Sequence, residues 1–388
     1  MFKTDEEQEI NTDESQTDNS EVVSSAPPAT VTHKEKELQT SKYTEKKLTK
    51  KELDAAKDIQ SSLSVFLKSQ FKIDEPDKVN YTIPTGIDLL DCLLGGGFGT
   101  KFIQIVGPPG CGKSALAGNI VAAGQKKWPG QFLAVYMDSE ESMSIERLAQ
   151  LGVRNPPIRP YTDMTVEKVF QIVEGICSFK DANPKLKEIP SIIVWDSVAN
   201  SLTEAGMVAG DMNSVMGQKA RVLSYLLPKY IGKLSEYNIC LLAVNQLREK
   251  IDIGVFKTPA DLRFLGANNV IPGGKAILFN SFQLIYMRPV GDIKEEQYGF
   301  GGILVEGKCV KNKLFSPNIK MTLVFSFEHG FSNFWTNMEM LKHTKRINAA
   351  SWSTLKVYPD KKFTTKKALE LYETDPKFKE AWDSEVKD

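Results

Sequence analysis

Histidine is scarce in this chain, three in 388 residues, and the three stand apart at His33, His329 and His343. No cluster of imidazoles is therefore available to hold a metal. The five cysteines, Cys92, Cys111, Cys177, Cys240 and Cys309, show no C-x-x-C spacing. That argues against a zinc site or a redox dithiol and for free thiols in a reducing, cytosolic-type compartment. Net charge is missing as well, since Lys+Arg and Asp+Glu both total 49. A surface basic all over is excluded, so any contact with a polyanion has to be local. No apolar run approaches the ~20 residues that cross a bilayer, and the N-terminal stretch is acidic and polar, unlike a secretory leader. No membrane partner is expected, and no internal repeat is visible.

What is present falls into four stretches. Within the first of these, residues 1–45, residues 1–33 are poor in large apolar side chains and carry eight carboxylates, with no basic residue, between Asp5 and Glu21. A disordered tail is expected there. Residues 46–80 contain "LDAAKDIQSSLSVFLKSQF", in which Leu53, Ala56, Ile59, Leu63, Phe66, Leu67 and Phe71 keep a three- or four-residue spacing. That spacing predicts an amphipathic helix, able to cap its own domain or to pack on a neighbouring molecule. From Gly86 to Met287, strand-like runs ("FIQIV", "FLAVYM", "SIIVW", "ICLLAV", "FQLIYM") alternate with helical stretches after the glycine-rich turn and at about 143–151, 165–178 and 214–236. Pro228 is expected to interrupt the last of these. The pattern is that of an α/β protein with a central, mainly parallel sheet flanked by helices. "GILVEGKCV" and "KMTLVFSF" add two antiparallel strands, which close a core at 81–334. The Lys-rich residues 335–388 read as a small helical C-terminal domain.

Four pieces carry chemistry. Gly107, Pro108, Pro109, Gly110, Cys111, Gly112, Lys113 and Ser114 fit G-x-x-x-x-G-K-S between a buried strand and a helix. In such a loop, glycines let backbone N–H groups turn toward phosphate oxygens, while Lys113, expected to face solvent, adds a point charge. Ser114 can place its hydroxyl on Mg²⁺. "SIIVWDS" ends a buried strand on Asp196, where a carboxylate holds Mg²⁺ through its waters. "AVYMDSEES" ends another strand on carboxylates that can activate water. Glu140 is the preferred base, with Asp138 and Glu141 as competitors. "LLAVNQLREK" ends a third strand on two amides, Asn245 and Gln246, either of which can sense the γ-phosphate and move the segment that follows. ATP and Mg²⁺ are the cofactors this set implies.

The order of these pieces resembles the RecA-type recombinases. The resemblance runs from about Ile83 to Phe331, through "IPTGIDLLDCLLGGG", "LAQLGV", "DSVANSLTEA", "MGQKAR", "VNQLREKI", "GGKAILF" and "VKNKL". It implies a RecA-like P-loop NTPase core and assigns Glu140 the activation of water. It makes Gln246 the amide linking the γ-phosphate to a second DNA-binding loop at about 247–274. The first such loop becomes about 204–217. Met216 is then an apolar wedge between bases, and Gly217, Arg221, Arg248, Lys250, Ile251, Gly273 and Gly274 lie along the DNA. Phe279 matches an aromatic that communicates between subunits, and Lys311 and Lys313 match a lysine pair that reaches the neighbouring subunit's ATP. The partners implied are single- and double-stranded DNA, further copies of the chain in a helical filament, and single-strand-binding or mediator proteins. The setting implied is a bacterial or phage-infected cytoplasm.

Departures are visible too. Ser144 and Arg147 stand where residues surround the adenine, and Glu306 stands where a basic residue would support a second DNA site. The second loop is long and the C-terminal acidic tail is missing, as in a divergent, phage-type member. Two other readings of the same core are a hexameric DNA helicase and a non-catalytic paralogue that acts as a mediator.

Overall fold

The computed structural model describes residues 81–159, 164–208, 212–249, 269–348 and 352–387, together with Lys50 and residues 61–63. Two units divide at Ile73 and Asp74. In the first, Ser61–Leu63 are helical and exposed, while the remainder of the expected amphipathic helix, and the acidic tail, lie outside the described residues. The second unit holds everything that follows.

Two short strands, β1 (Thr82–Ile83) and β2 (Phe98–Gly99), pair antiparallel around the helix Asp88–Leu94. The main sheet is built from β3 (Phe102–Gly107), β4 (Leu133–Asp138), β5 (Ser191–Asp196) and β6 (Ile239–Gln246). A small ribbon of β7 (Arg248–Glu249) and β8 (Asn269–Val270) follows. The sheet is then completed by β9 (Gln283–Ile293), β10 (Gly302–Asn312), β11 (Ile319–Ser326) and β12 (Gly330–Phe331). Strand order is β12-β11-β10-β9-β3-β6-β5-β4. From β9 to β4 the pairs are parallel; from β9 to β12 they are antiparallel. The sheet is thus mixed, an α/β arrangement with helices on both faces.

Alternation along each strand fixes which face each side chain serves. Ile103 and Ile105 of β3, Ile192 and Val194 of β5, and Leu242 and Val244 of β6 join the helix Lys113–Lys127 in one core. Phe102, Val106, Ile193, Trp195, Leu241 and Ala243 point the other way, onto the helices Val166–Ala182, Met212–Glu236 and Gly274–Asn280. Strands buried on both faces read as continuous apolar runs, which is why these were visible in the sequence.

Two expectations differ from what is observed. The helix Met212–Glu236 runs through Pro228 without a break. Its stripe of Leu223, Leu227, Tyr230 and Leu234 is buried against the sheet, and that packing outweighs the backbone hydrogen bond proline cannot donate. The C-terminal region is not purely helical. After the helix Asn333–His343, β13 (Ile347–Asn348), β14 (Ser353–Leu355) and β15 (Tyr358–Phe363) form an antiparallel sheet, closed by the helices Ala368–Thr374 and Pro376–Lys387. Phe334 stacks on Trp382 at 4.4 Å, and Trp335, Met338 and Leu341 share a core with Val324 of β11. Among the described residues, no helix is long and apolar enough to cross a membrane.

Candidate active site

Parallel register brings four strand ends to one edge. Gly107 pairs with Gln246, Asp138 with Asp196, and Asp196 with Val244. Side chains at the carboxyl ends of β3, β4, β5 and β6 therefore converge, the usual location for a ligand on a parallel sheet.

The glycine loop follows β3. A Cβ on Gly107 would lie 2.3 Å from the Met287 carbonyl oxygen, so no other residue fits there without moving β9. Gly110 and Gly112 take φ of 75° and 80°, a left-handed turn that feeds directly into the helix beginning at Lys113. Lys113 is not solvent-facing as expected. It is buried, and its Nζ donates to the Pro108 carbonyl at 2.7 Å, inside the loop. The Cys111 thiol donates to the same oxygen at 3.1 Å, and burial raises its pKa.

Beside the loop, Asp196 is buried, accepts a hydrogen bond from Tyr136 Oη at 3.0 Å and lies near the Ser114 hydroxyl. Burial raises the Asp196 pKa to about 6; the hydroxyls of Ser114 and Tyr136 oppose that shift, and the charges of Asp138 and Glu140 add to it. Tyr136 is pushed well above the ordinary phenol range, first by its own burial and then by Asp196. Among the described residues, no group of three or more His, Cys, Asp or Glu side chains gathers as a metal cluster.

The carboxylates of "MDSEES" separate by role. Asp138 is occupied in its own turn: its oxygens accept from the backbone of Glu140 at 3.1 Å and of Met143 at 2.8 Å, and Arg159 approaches at 3.4 Å. Glu140 is exposed, and its Oε1 accepts from Ser197 Oγ at 2.9 Å, Asn200 Nδ2 at 2.9 Å and Gln246 Nε2 at 2.6 Å. The two amides of β6 separate as well. Asn245 is buried and donates to the Pro272 carbonyl at 2.9 Å, whereas Gln246 reaches Glu140.

The remaining candidates are spread more widely. Arg221 and Arg248 are exposed, and Arg248 donates to the Ala199 carbonyl at 3.2 Å. Gly217 lies on an open stretch of its helix. Lys250, Ile251 and the side chain of Met216 lie outside the described residues. Gly273 and Gly274 have a packing reason to be glycine. A Cβ on Gly274, at φ 74°, would come within 2.9 Å of Ala220 Cβ, where two helices touch. Lys311 donates to the carbonyls of Leu278 at 3.1 Å and Phe279 at 2.7 Å, capping the helix that carries Phe279, itself 66% exposed. Burial, and then the nearby Lys313, lower the Lys311 pKa. Glu306 is paired with Arg288 at 2.9 Å and Lys320 at 3.6 Å. Arg147 bonds the Glu328 carbonyl at 2.6 Å, and Ser144 caps the helix Ile145–Gln150.

Tyr136, Ser197, Asn200 and Lys219 were not singled out from sequence. Lys219 donates to the carbonyls of Val198 at 2.9 Å and Ala199 at 3.0 Å, and burial, with Arg248 nearby, lowers its pKa to about 8. A signal existed for two of them: "DSVAN" sets small polar residues directly after a buried strand.

Sequence comparison shows the family. The RecA N-terminal domain family matches residues 59–332. Protein RecA of Ehrlichia ruminantium is 32% identical over 263 residues, covering 67% of each chain. Protein RecA of an Arthrobacter species is 31% identical over 276 residues, 70% of this chain and 72% of its own. Protein RecA of a Wolbachia from Culex pipiens is 32% identical over 255 residues, 65% of each. The chain belongs to the RecA family.

Proposed function

We propose that this chain is a DNA-dependent ATPase that assembles on single-stranded DNA as a helical filament and drives homologous pairing and strand exchange. The observation that carries the reading is the bond from Gln246 Nε2 to Glu140 Oε1, at the strand edge that also holds the glycine loop. It ties the proposed catalytic base to the residue from which the second DNA loop departs.

The residues present suit ATP and Mg²⁺. The loop is turned inward on glycines, Lys113 waits on a backbone carbonyl that a phosphate oxygen can replace, and Ser114 meets a buried carboxylate. One hydroxyl and one carboxylate match a metal that binds chiefly through phosphates and water. Mg²⁺, when bound, neutralises charge on the phosphates. Residues 107–114 and Asp196 hold the nucleotide and its metal. Glu140 Oε2, which has no donor among the described residues, takes the proton of the attacking water, while Gln246 orients the carboxylate through Oε1. Arg221, Arg248, Lys250, Ile251, Met216, Gly217, Gly273 and Gly274 line the DNA path. Lys311 and Lys313 serve the neighbouring subunit's site, and Phe279 stands where that neighbour is met. Residues 81–334 are the ATPase core, 335–388 a small domain docked on it, and 46–80 a helical assembly segment behind an acidic tail. Its setting is a bacterial or phage-infected cytoplasm, where single-strand-binding and mediator proteins are the further partners.

Electron microscopy with ATP and single-stranded DNA tests this reading. Extended helical filaments are expected. Closed rings would favour a helicase built on the same core, and DNA left bare a mediator.

A further inference from the structure

The turn Ser197–Asn200 joins three things that are far apart in sequence. It follows β5 directly and is pinned to β6, where the Val198 amide donates to the Val244 carbonyl at 3.0 Å. Two of its carbonyls are held by cations. Lys219 Nζ bonds Val198 at 2.9 Å and Ala199 at 3.0 Å, and Arg248 Nη2 bonds Ala199 at 3.2 Å. From its last residue, Asn200 Nδ2 reaches Glu140 Oε1 at 2.9 Å. Of the three donors on that oxygen, Gln246 ends β6, and Ser197 opens the turn with its amide held by Ser139 Oγ at 2.9 Å. Asn200 alone is exposed and hangs from the clamped turn.

We propose that Asn200 is a positioning residue that restrains Glu140, and that the restraint is released when DNA phosphates draw Lys219 and Arg248 away from the Val198 and Ala199 carbonyls. This rests on the reading of Glu140 as the catalytic base. Three donors on one oxygen hold the Glu140 carboxylate in one orientation, and removing one raises its freedom to turn toward water. The clamp suits release by a polyanion. Two like charges share the Ala199 oxygen, and a phosphate that pairs with either relieves their repulsion. The turn then loses its bonds to Lys219 and Arg248, and Asn200 moves with it.

The test is steady-state ATP hydrolysis with and without single-stranded DNA, in wild type, Asn200→Ala, Lys219→Met and the double variant. In Asn200→Ala the DNA-free kcat is expected to rise about tenfold at unchanged KM for ATP, the scale of one hydrogen bond to a charged group. The DNA-saturated kcat should stay near wild type, so the stimulation ratio falls. Lys219→Met keeps the aliphatic stem and should also raise the DNA-free kcat, with no further gain in the double variant. A purely structural role would lower kcat or raise KM, not raise kcat alone. A DNA-free kcat at or below wild type in Asn200→Ala, with an unchanged melting temperature, overturns the proposal while leaving the ATPase reading intact. A wild-type chain that hydrolyses no ATP overturns both.

Discussion

Lys113 Nζ lies 2.7 Å from the Pro108 carbonyl oxygen, inside the loop and away from solvent. Replacing it with alanine should cost about 1 kcal/mol of stability through that lost bond. The larger loss is expected in turnover, at least a hundredfold, because charge on the transferring phosphate loses its cation. Melting curves and ATPase rates read the two effects separately, and turnover at the wild-type rate would remove the phosphate-loop assignment. Glu140→Gln should behave differently. The amide keeps the size but cannot take a proton, so a fluorescent ATP analogue should bind within about threefold of wild type while turnover drops by about 10²–10⁴. Loss of binding instead would move the catalytic role elsewhere. Much of this site was legible because Gly107–Ser114 is contiguous and each strand announces its own end. The residues alone left Asn245 and Gln246 open and the resemblance chose Gln246; the sheet supplies the physical reason, since neighbours on a strand face opposite sides. Asn200 and Glu140 are 60 residues apart and meet only through register, so no local pattern could pair them.

At the scale of elements, the helix Asp88–Leu94 carries a titrating group remote from the loop. Asp91 Oδ1 accepts the Thr85 amide at 2.8 Å, and burial lifts its carboxyl from 3.8 to about 6, with the Thr85 bond opposing and Asp88 adding. A pKa raised on folding favours the protonated form. The stability it contributes is therefore complete below about pH 4 and lost as pH rises through about 6. Asp91→Asn keeps an acceptor for the Thr85 amide without the charge. It should match wild type near pH 4 and exceed it by about 2 kcal/mol at pH 7 in denaturant unfolding. A constant difference across that range would contradict the shift. The strands were legible as elements because burial on both faces makes them apolar throughout. The small sheet of β13, β14 and β15 was not, because β15 buries only Phe363 among polar and charged neighbours, and what holds it is the distant aromatic core around Phe378 and Trp382.

On the scale of the whole molecule, the lysine pair decides whether one chain is a complete enzyme. Lys311 is bonded to the helix that ends at Asn280 in its own chain, beside the exposed ring of Phe279. If both lysines serve a neighbour, Lys311→Ala/Lys313→Ala should lose DNA-stimulated hydrolysis. Mixed on one DNA strand with Lys113→Ala, it should recover part of the activity wherever an intact loop faces intact lysines. No recovery in filaments shown to be mixed would mean that the pair acts in cis or not at all. That the filament itself was expected from sequence owes most to the order of motifs along the chain, since composition is neutral and no subunit contact is local. The most direct measurement is ATP hydrolysis by the wild-type chain over a range of protein concentrations, with and without single-stranded DNA. A low rate without DNA, and a rate that rises steeply with concentration and severalfold on adding DNA, is expected. A rate per chain that is independent of both would contradict a DNA-dependent ATPase completed between subunits.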